Sequence, residues 1–269
     1  MRQFVFLIFI ISIISSCKDE NSSKKINESS SVKNELPEAI KDFIIKAEKD
    51  SSNMEIQLKT VNILDSLGFK KDALIKLDQL ISKDSLNNEY WLKRGQLCKY
   101  LEDTVAAIKA FRFAARVYPT PISLMELANL YAETKNIKTI SIANQLMKIY
   151  PDGKFNAEAN FFIAVYYSKM NDAANAIKYF NKSIQENMYF YDAYTEKGYL
   201  YYQQHKYQDA LAVFSQLVKI NQTSVDGYYW QAKCNETLNN KSEAINLYEK
   251  ALLLDPNLKE AEAAIKRLK

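Results

Sequence analysis

Enzyme chemistry needs titratable or nucleophilic groups held in pairs, and this chain supplies few of them. It has one histidine, His205, and three cysteines, Cys17, Cys98 and Cys234. None falls at a metal-ligand spacing from another, and five scattered glycines leave no phosphate-binding loop. In Glu102-Asp103-Thr104, either Asp103 or Thr104 suits the cap of a helix better than an acid–base pair. No catalytic residue, metal site or cofactor is therefore expected, and His205 reads as an exposed turn residue. The informative chemistry lies elsewhere, in Cys17 behind an apolar run and in tyrosines spaced at helical intervals.

Met1-Arg2-Gln3 carries one positive charge, and Phe4–Ile14 is apolar apart from Ser12. That run is too short for a bilayer span of ~20 residues but fits a signal-peptide core of ~7–15. The residues that follow, Ile14-Ser15-Ser16-Cys17, resemble the lipobox of bacterial lipoproteins. The resemblance implies a signal peptide over 1–16 and a lipidated Cys17 as the mature N-terminus. Two or more acyl chains, at ~0.8 kcal/mol per buried methylene, would hold the protein on a membrane. Lys18 in place of an aspartate resembles outer-membrane sorting, and Lys18-Asp19-Glu20 resembles the surface-export signal of Bacteroidetes lipoproteins. Residues 17–35 then read as a disordered tether. From Lys18 on, that stretch has five serines, four basic and four acidic residues and no apolar pattern.

Beyond the tether the composition is helical. The net charge of +4 is mild and spread along the chain, so nucleic acid is not an expected partner. Small residues recur at Ala73, Ala107, Ala176, Ala210 and Ala244, in steps of 34, 69, 34 and 34. A second set reads Val61, Gly95, Ala128, Ala164, Gly198 and Ala232, in steps of 34, 33, 36, 34 and 34. Larger wedges keep step at Leu77, Phe111, Phe180, Phe214 and Tyr248. In Tyr191–Ser224 the stripes Tyr194/Gly198/Tyr201 and Ala210/Phe214/Leu217 place Gly198 and Ala210 where two helices would cross.

This pattern resembles the tetratricopeptide repeat, a helix–turn–helix unit of about 34 residues. The resemblance implies an all-α, right-handed α-solenoid with an N-terminal capping helix over 36–53, six units over 54–258 and a C-terminal capping helix over 259–269. The third unit departs from the pattern, with Thr139 or Ile140 where alanine belongs, and implies an irregular turn near Asn136. Lys46, Gln231 and Asn235 stand where the family has apolar residues. Cys98 and Cys234 fall four units apart, which at about 10 Å per unit is roughly 40 Å. A disulfide needs Cα atoms within about 7 Å, so both read as buried small hydrophobes.

In this family the second, fifth, ninth and twelfth positions of each first helix face a concave groove. The resemblance carries that role here to Glu158, Phe161, Val165 and Ser168; to Asp192, Thr195, Tyr199 and Tyr202; and to Asp226, Tyr229, Lys233 and Glu236. Phe161, Thr195, Tyr199, Tyr202, Asp226, Tyr229 and Lys233 are the expected partner-binding residues. Aromatic groups there supply contact area at little rotamer entropy, and the mixed charge suits an extended peptide. The chaperone-type carboxylate clamp is absent from every unit. The expected function is a non-catalytic scaffold, lipid-anchored in a bacterial outer membrane, facing the periplasm or the cell surface. It would bind a protein or peptide segment of another envelope protein in assembly or secretion machinery. The alternative is a surface-exposed lipoprotein that binds a ligand such as a glycan.

Overall fold

The computed structural model describes residues 38–269. The signal sequence, Cys17, the tether and the helical start expected at Leu36 and Pro37 lie outside them. Among the described residues the chain forms fourteen α-helices and no strand. Contacts divide it into two compact units, which meet in sequence between Lys83 and Asp84.

The first unit holds α1 (Glu38–Lys49), α2 (Met54–Ser66) and α3 (Lys70–Lys83). Asn53 caps α2 by accepting from the Ile56 N–H. Val61 and Leu64 of α2 are buried with Ala73, Leu77, Leu80 and Ile81 of α3. The register drifts at α1: Leu80 is buried, but Lys46, one repeat length earlier, is exposed, and Ile44 and Ala47 are buried instead. Gln57 fixes the entry to α2, its amide donating to the Ala47 carbonyl at 2.5 Å.

The second unit is built from five helix pairs: α4 (Asn88–Tyr100) with α5 (Thr104–Val117), α6 (Pro121–Glu133) with α7 (Lys138–Ile149), α8 (Asn156–Lys169) with α9 (Ala173–Glu186), α10 (Tyr191–Gln203) with α11 (Tyr207–Ile220), and α12 (Val225–Thr237) with α13 (Lys241–Leu254). A last helix, α14 (Lys259–Leu268), packs on α13. It buries Ala261, Ala264 and Ile265 against Ala232, Ala244, Leu247 and Tyr248, and leaves its charged face to solvent.

The repeat register has a direct packing cause. A Cβ placed on Gly198 would run into the Phe214 ring, and one on Gly95 would lie 2.6 Å from the Phe111 ring. Each wedge thus occupies the space that a side chain on the facing first helix would need. Ala164 and Ala232 do the same duty beside Phe180 and Tyr248. The polar residues at apolar positions are satisfied where they stand. Gln231 donates to the Phe214 carbonyl at 3.1 Å and Asn235 donates to the Gln231 carbonyl at 3.0 Å. In the third unit Thr139, not Ile140, is the fully buried residue, and its hydroxyl donates to the Asn136 carbonyl at 2.8 Å.

Every turn from a first to a second helix opens with the same closure. Gly68, Glu102, Lys135, Asn171, His205 and Asn239 all adopt positive φ, between 57° and 87°. In each turn the following N–H donates to a carbonyl five residues back at 2.8–3.0 Å, as in Asp103 to Cys98 and Lys206 to Tyr201. This is the Schellman closure of a helix end, which demands a left-handed residue. The irregularity expected near Asn136 lies just past this closure: Lys135 and Asn136 repeat the common geometry, but the Thr139 and Ile140 N–H groups donate three residues back, to Asn136 and Ile137, where the other units bond four back, and α7 begins one residue later than its counterparts. Glycine adopts the left-handed conformation without steric penalty, whereas lysine does not. Lys135→Gly is expected to raise stability by about 0.5–1 kcal/mol in urea denaturation. Asn171→Gly should change it less, because asparagine already tolerates that region. A destabilised Lys135→Gly would show that lysine makes compensating contacts.

Candidate functional site

The first helices of successive pairs touch one another, α6 with α8, α8 with α10, and α10 with α12, while the second helices make no comparable contact. A row that is closer on one side curves toward it. The first helices of the second unit therefore line its inner face.

Charged groups staple this inner face across neighbouring helices. Lys99 of α4 pairs with Glu126 of α6 at 2.7 Å, and Glu133 of α6 pairs with Lys169 of α8 at 2.6 Å. Glu236 of α12 pairs with Arg267 of α14 at 2.5 Å. The Tyr248 hydroxyl also donates to Glu236, at 2.8 Å. Burial works against the Glu236 charge, yet the bonds from Arg267 and Tyr248 hold its carboxyl below the usual value.

Toward the C-terminal end the inner face becomes aromatic, with Trp230 as its hub. Its ring meets Tyr199 at 4.7 Å, Tyr202 at 5.1 Å, Tyr229 at 5.7 Å and Phe214 at 6.1 Å between centroids. The Lys233 ammonium lies 5.3 Å from the Trp230 ring, 5.8 Å from Tyr229 and 6.0 Å from Tyr202, within cation–π range of all three. Tyr199 is half-buried, and burial, with Asp226 nearby, pushes its phenol up to about 12.

The expected partner-binding residues thus fall into two groups. Tyr199, Tyr202, Tyr229 and Lys233 come together around Trp230, with Asp226 exposed beside Tyr199. Phe161 and Thr195 stand apart from them. The Phe161 ring packs on Phe190 at 5.2 Å, Phe162 at 5.8 Å and Phe180 at 5.9 Å, inside the cluster formed with α9. The Thr195 hydroxyl turns back to donate to the Tyr191 carbonyl at 3.2 Å.

A second feature lies further toward the N-terminal end of the row, where the sequence reading named no site. Lys99, Ile122, Met125, Glu126, Asn129 and Phe162 surround an open cavity of about 270 Å³. Ile122, Met125 and Asn129 hold the second, fifth and ninth positions of the third unit, so the same family rule points to them. Trp230 and Phe162 were missed because that rule skips the sixth position. Helical spacing still marks Trp230, three residues before Lys233 and so on one face with it.

The groups first considered for chemistry are accounted for. His205 is exposed, its Nδ1 2.7 Å from the Tyr207 hydroxyl. Cys98 and Cys234 are buried thiols, and burial pushes that of Cys234 up to about 12. Asp103 caps α5 by accepting from the Ala106 N–H at 2.9 Å. No cluster of three or more metal-ligating side chains occurs among the described residues.

Residues 169–251 match the family model described as anaphase-promoting complex, cyclosome, subunit 3. No curated protein matches the chain in sequence. Solved structures do match in fold. A tetratricopeptide repeat protein from Parabacteroides merdae is 17% identical, with 93% of this chain and 96% of that one covered and a TM-score of 0.65. PilW, a widely conserved type IV pilus biogenesis factor, is 16% identical, with 79% and 98% covered and a TM-score of 0.63. The Cut9 and Hcn1 assembly of the APC/C gives 16% identity and a TM-score of 0.54, with 91% of this chain and 46% of that one covered. The chain is all-α and carries the tetratricopeptide-repeat solenoid fold.

Proposed function

We propose that this protein is a non-catalytic scaffold that holds an extended segment of another cell-envelope protein along the inner row of first helices. We propose also that lipid on Cys17 anchors it in a bacterial outer membrane. The observation that carries the binding reading is the open cavity of about 270 Å³ on the inner face. Ile122, Met125 and Phe162 provide an apolar seat for a partner side chain, and Asn129 provides an amide that can bond to its backbone. The anchoring reading rests on the Ile14-Ser15-Ser16-Cys17 run behind the apolar core.

Crosslinking in intact cells, followed by capture from the membrane fraction, tests both. Truncating buried interface anchors costs ~2 kcal/mol or more, so Met125→Ala with Phe162→Ala should lower partner recovery about thirtyfold. Both side chains are only half-buried, so the double variant should fold. Full recovery by a folded double variant would overturn the inner-face site. Cys17→Ala should leave the membrane fraction; retention there would overturn the lipid anchor.

A further inference from the structure

We propose that the segment bound along the inner face is basic, with arginine or lysine side chains meeting the acidic residues of α8, α10 and α12 beside the tyrosines of α10 and α12. This rests on the reading that the inner face binds an extended segment, and adds the chemistry of that segment.

The inner-face charges are not balanced once the intramolecular pairs are removed. Lys99 and Glu126 neutralise each other, as do Lys169 with Glu133 and Arg267 with Glu236. Lys233 is held over three rings. Lys233 keeps its charge there, so what remains is one ring-held cation against several carboxylates. Asp192 and Asp226 are exposed, and among the described residues neither has a cation within salt-bridge distance. Glu196 is partly buried in the middle of α10, with Glu133 and Asp192 among its neighbours. Lys169 offsets it only in part, being committed to Glu133. Burial and these like charges push the Glu196 carboxyl up. Lys197, the next residue, is itself partly buried, and burial pushes its ammonium down.

The acids are also periodic. Glu158, Asp192, Asp226 and Glu260 recur once per repeat unit, one at the same place on α8, α10, α12 and α14. An acid in a first turn favours the helix dipole. That does not explain Glu196, nor Glu158, whose Oε2 is buried with no hydrogen-bond partner among the described residues. A row of carboxylates opposite in sign to the chain's net +4 is a local feature of this face. Asp226 and Glu196 both act on the Tyr199 phenol. Such a site suits a guanidinium, which can stack on the ring and bond to the carboxylates.

The geometry also predicts a spacing. Neighbouring helix axes lie about 10 Å apart and an extended peptide advances ~3.3 Å per residue, so its basic residues should recur about every third position.

The test is selection of a displayed random peptide library on the immobilised full chain, then fluorescence anisotropy with the best peptide. Enriched peptides should carry two or more arginines or lysines at that spacing. Replacing them with glutamine should weaken binding about tenfold. Asp192→Asn, Glu196→Gln and Asp226→Asn combined should weaken it by a similar factor. With the glutamine peptide, the triple variant should show no further loss. Enriched peptides that are neutral or acidic, or a triple variant that binds the basic peptide as the wild type does, would overturn the proposal. If Met125→Ala with Phe162→Ala still abolished capture in those cases, the inner-face site would stand without the charge preference. No enrichment of any peptide would instead sink the inner-face reading itself.

Discussion

Phe214→Ala is expected to destabilise the second unit by about 3–5 kcal/mol, the range for emptying a buried phenylalanine. Phe214 is fully buried, and its ring fills the space above Gly198, so the truncation opens a void at a helix crossing. The complementary change is Gly198→Ala, which forces a methyl into the ring. Overpacking of that kind costs about 1–3 kcal/mol. The pair Gly198→Ala with Phe214→Leu should recover part of both losses, since the smaller wedge makes room for the methyl. Urea denaturation of the wild type, Gly198→Ala, Phe214→Leu and the pair measures this as a double-mutant cycle. Strictly additive losses would mean that the two residues do not share the space as the geometry requires. Repeat proteins couple each unit to its neighbours, so the Phe214→Ala loss should appear as a lower midpoint for the whole second unit.

Trp230→Ala is the second large effect, expected at about 2–4 kcal/mol because the indole is partly rather than wholly buried. It should also disable the aromatic end of the inner face. Tyr199, Tyr202 and Tyr229 share contact with the Trp230 ring, and Lys233 loses the nearest of its three rings. Trp230→Phe keeps an aromatic face and should retain most of the stability. A thermal melt beside peptide binding separates the two consequences. If Trp230→Ala melts like the wild type, the hub is not structural; if it melts early but binds normally, the aromatic end is not part of the site. Tyr199→Ala is a poorer probe of binding, because Tyr199 also packs on Phe214 and its loss would disturb the fold.

The repeat was legible in the sequence because each unit solves the same packing problem. Ala210, Gly198 and Phe214 meet at one crossing, and the same crossing one unit further along demands the same small and large residues. The aromatic end was half legible. Helical spacing placed Tyr199, Tyr202 and Tyr229 on first helices, but position alone could not say that Phe161 would turn into the cluster with Phe180 and Phe190. Side-chain direction depends on what the next helix offers. The left-handed residue of each turn was only half legible: Gly68, Asn171 and Asn239 are residue types that favour that backbone, whereas Glu102, Lys135 and His205 do not signal it. Closure of the helix end imposes it on whichever residue stands there. The charge of the inner face was decided last and only in three dimensions. Lys99 with Glu126, Glu133 with Lys169, and Glu236 with Arg267 each join residues from different helices, with a whole intervening helix between them in the chain. Those pairs leave Asp192 and Asp226 without a salt-bridge partner among the described residues, and Lys233 over its rings, because pairing depends on distance between neighbouring helices, which the stacking of units sets.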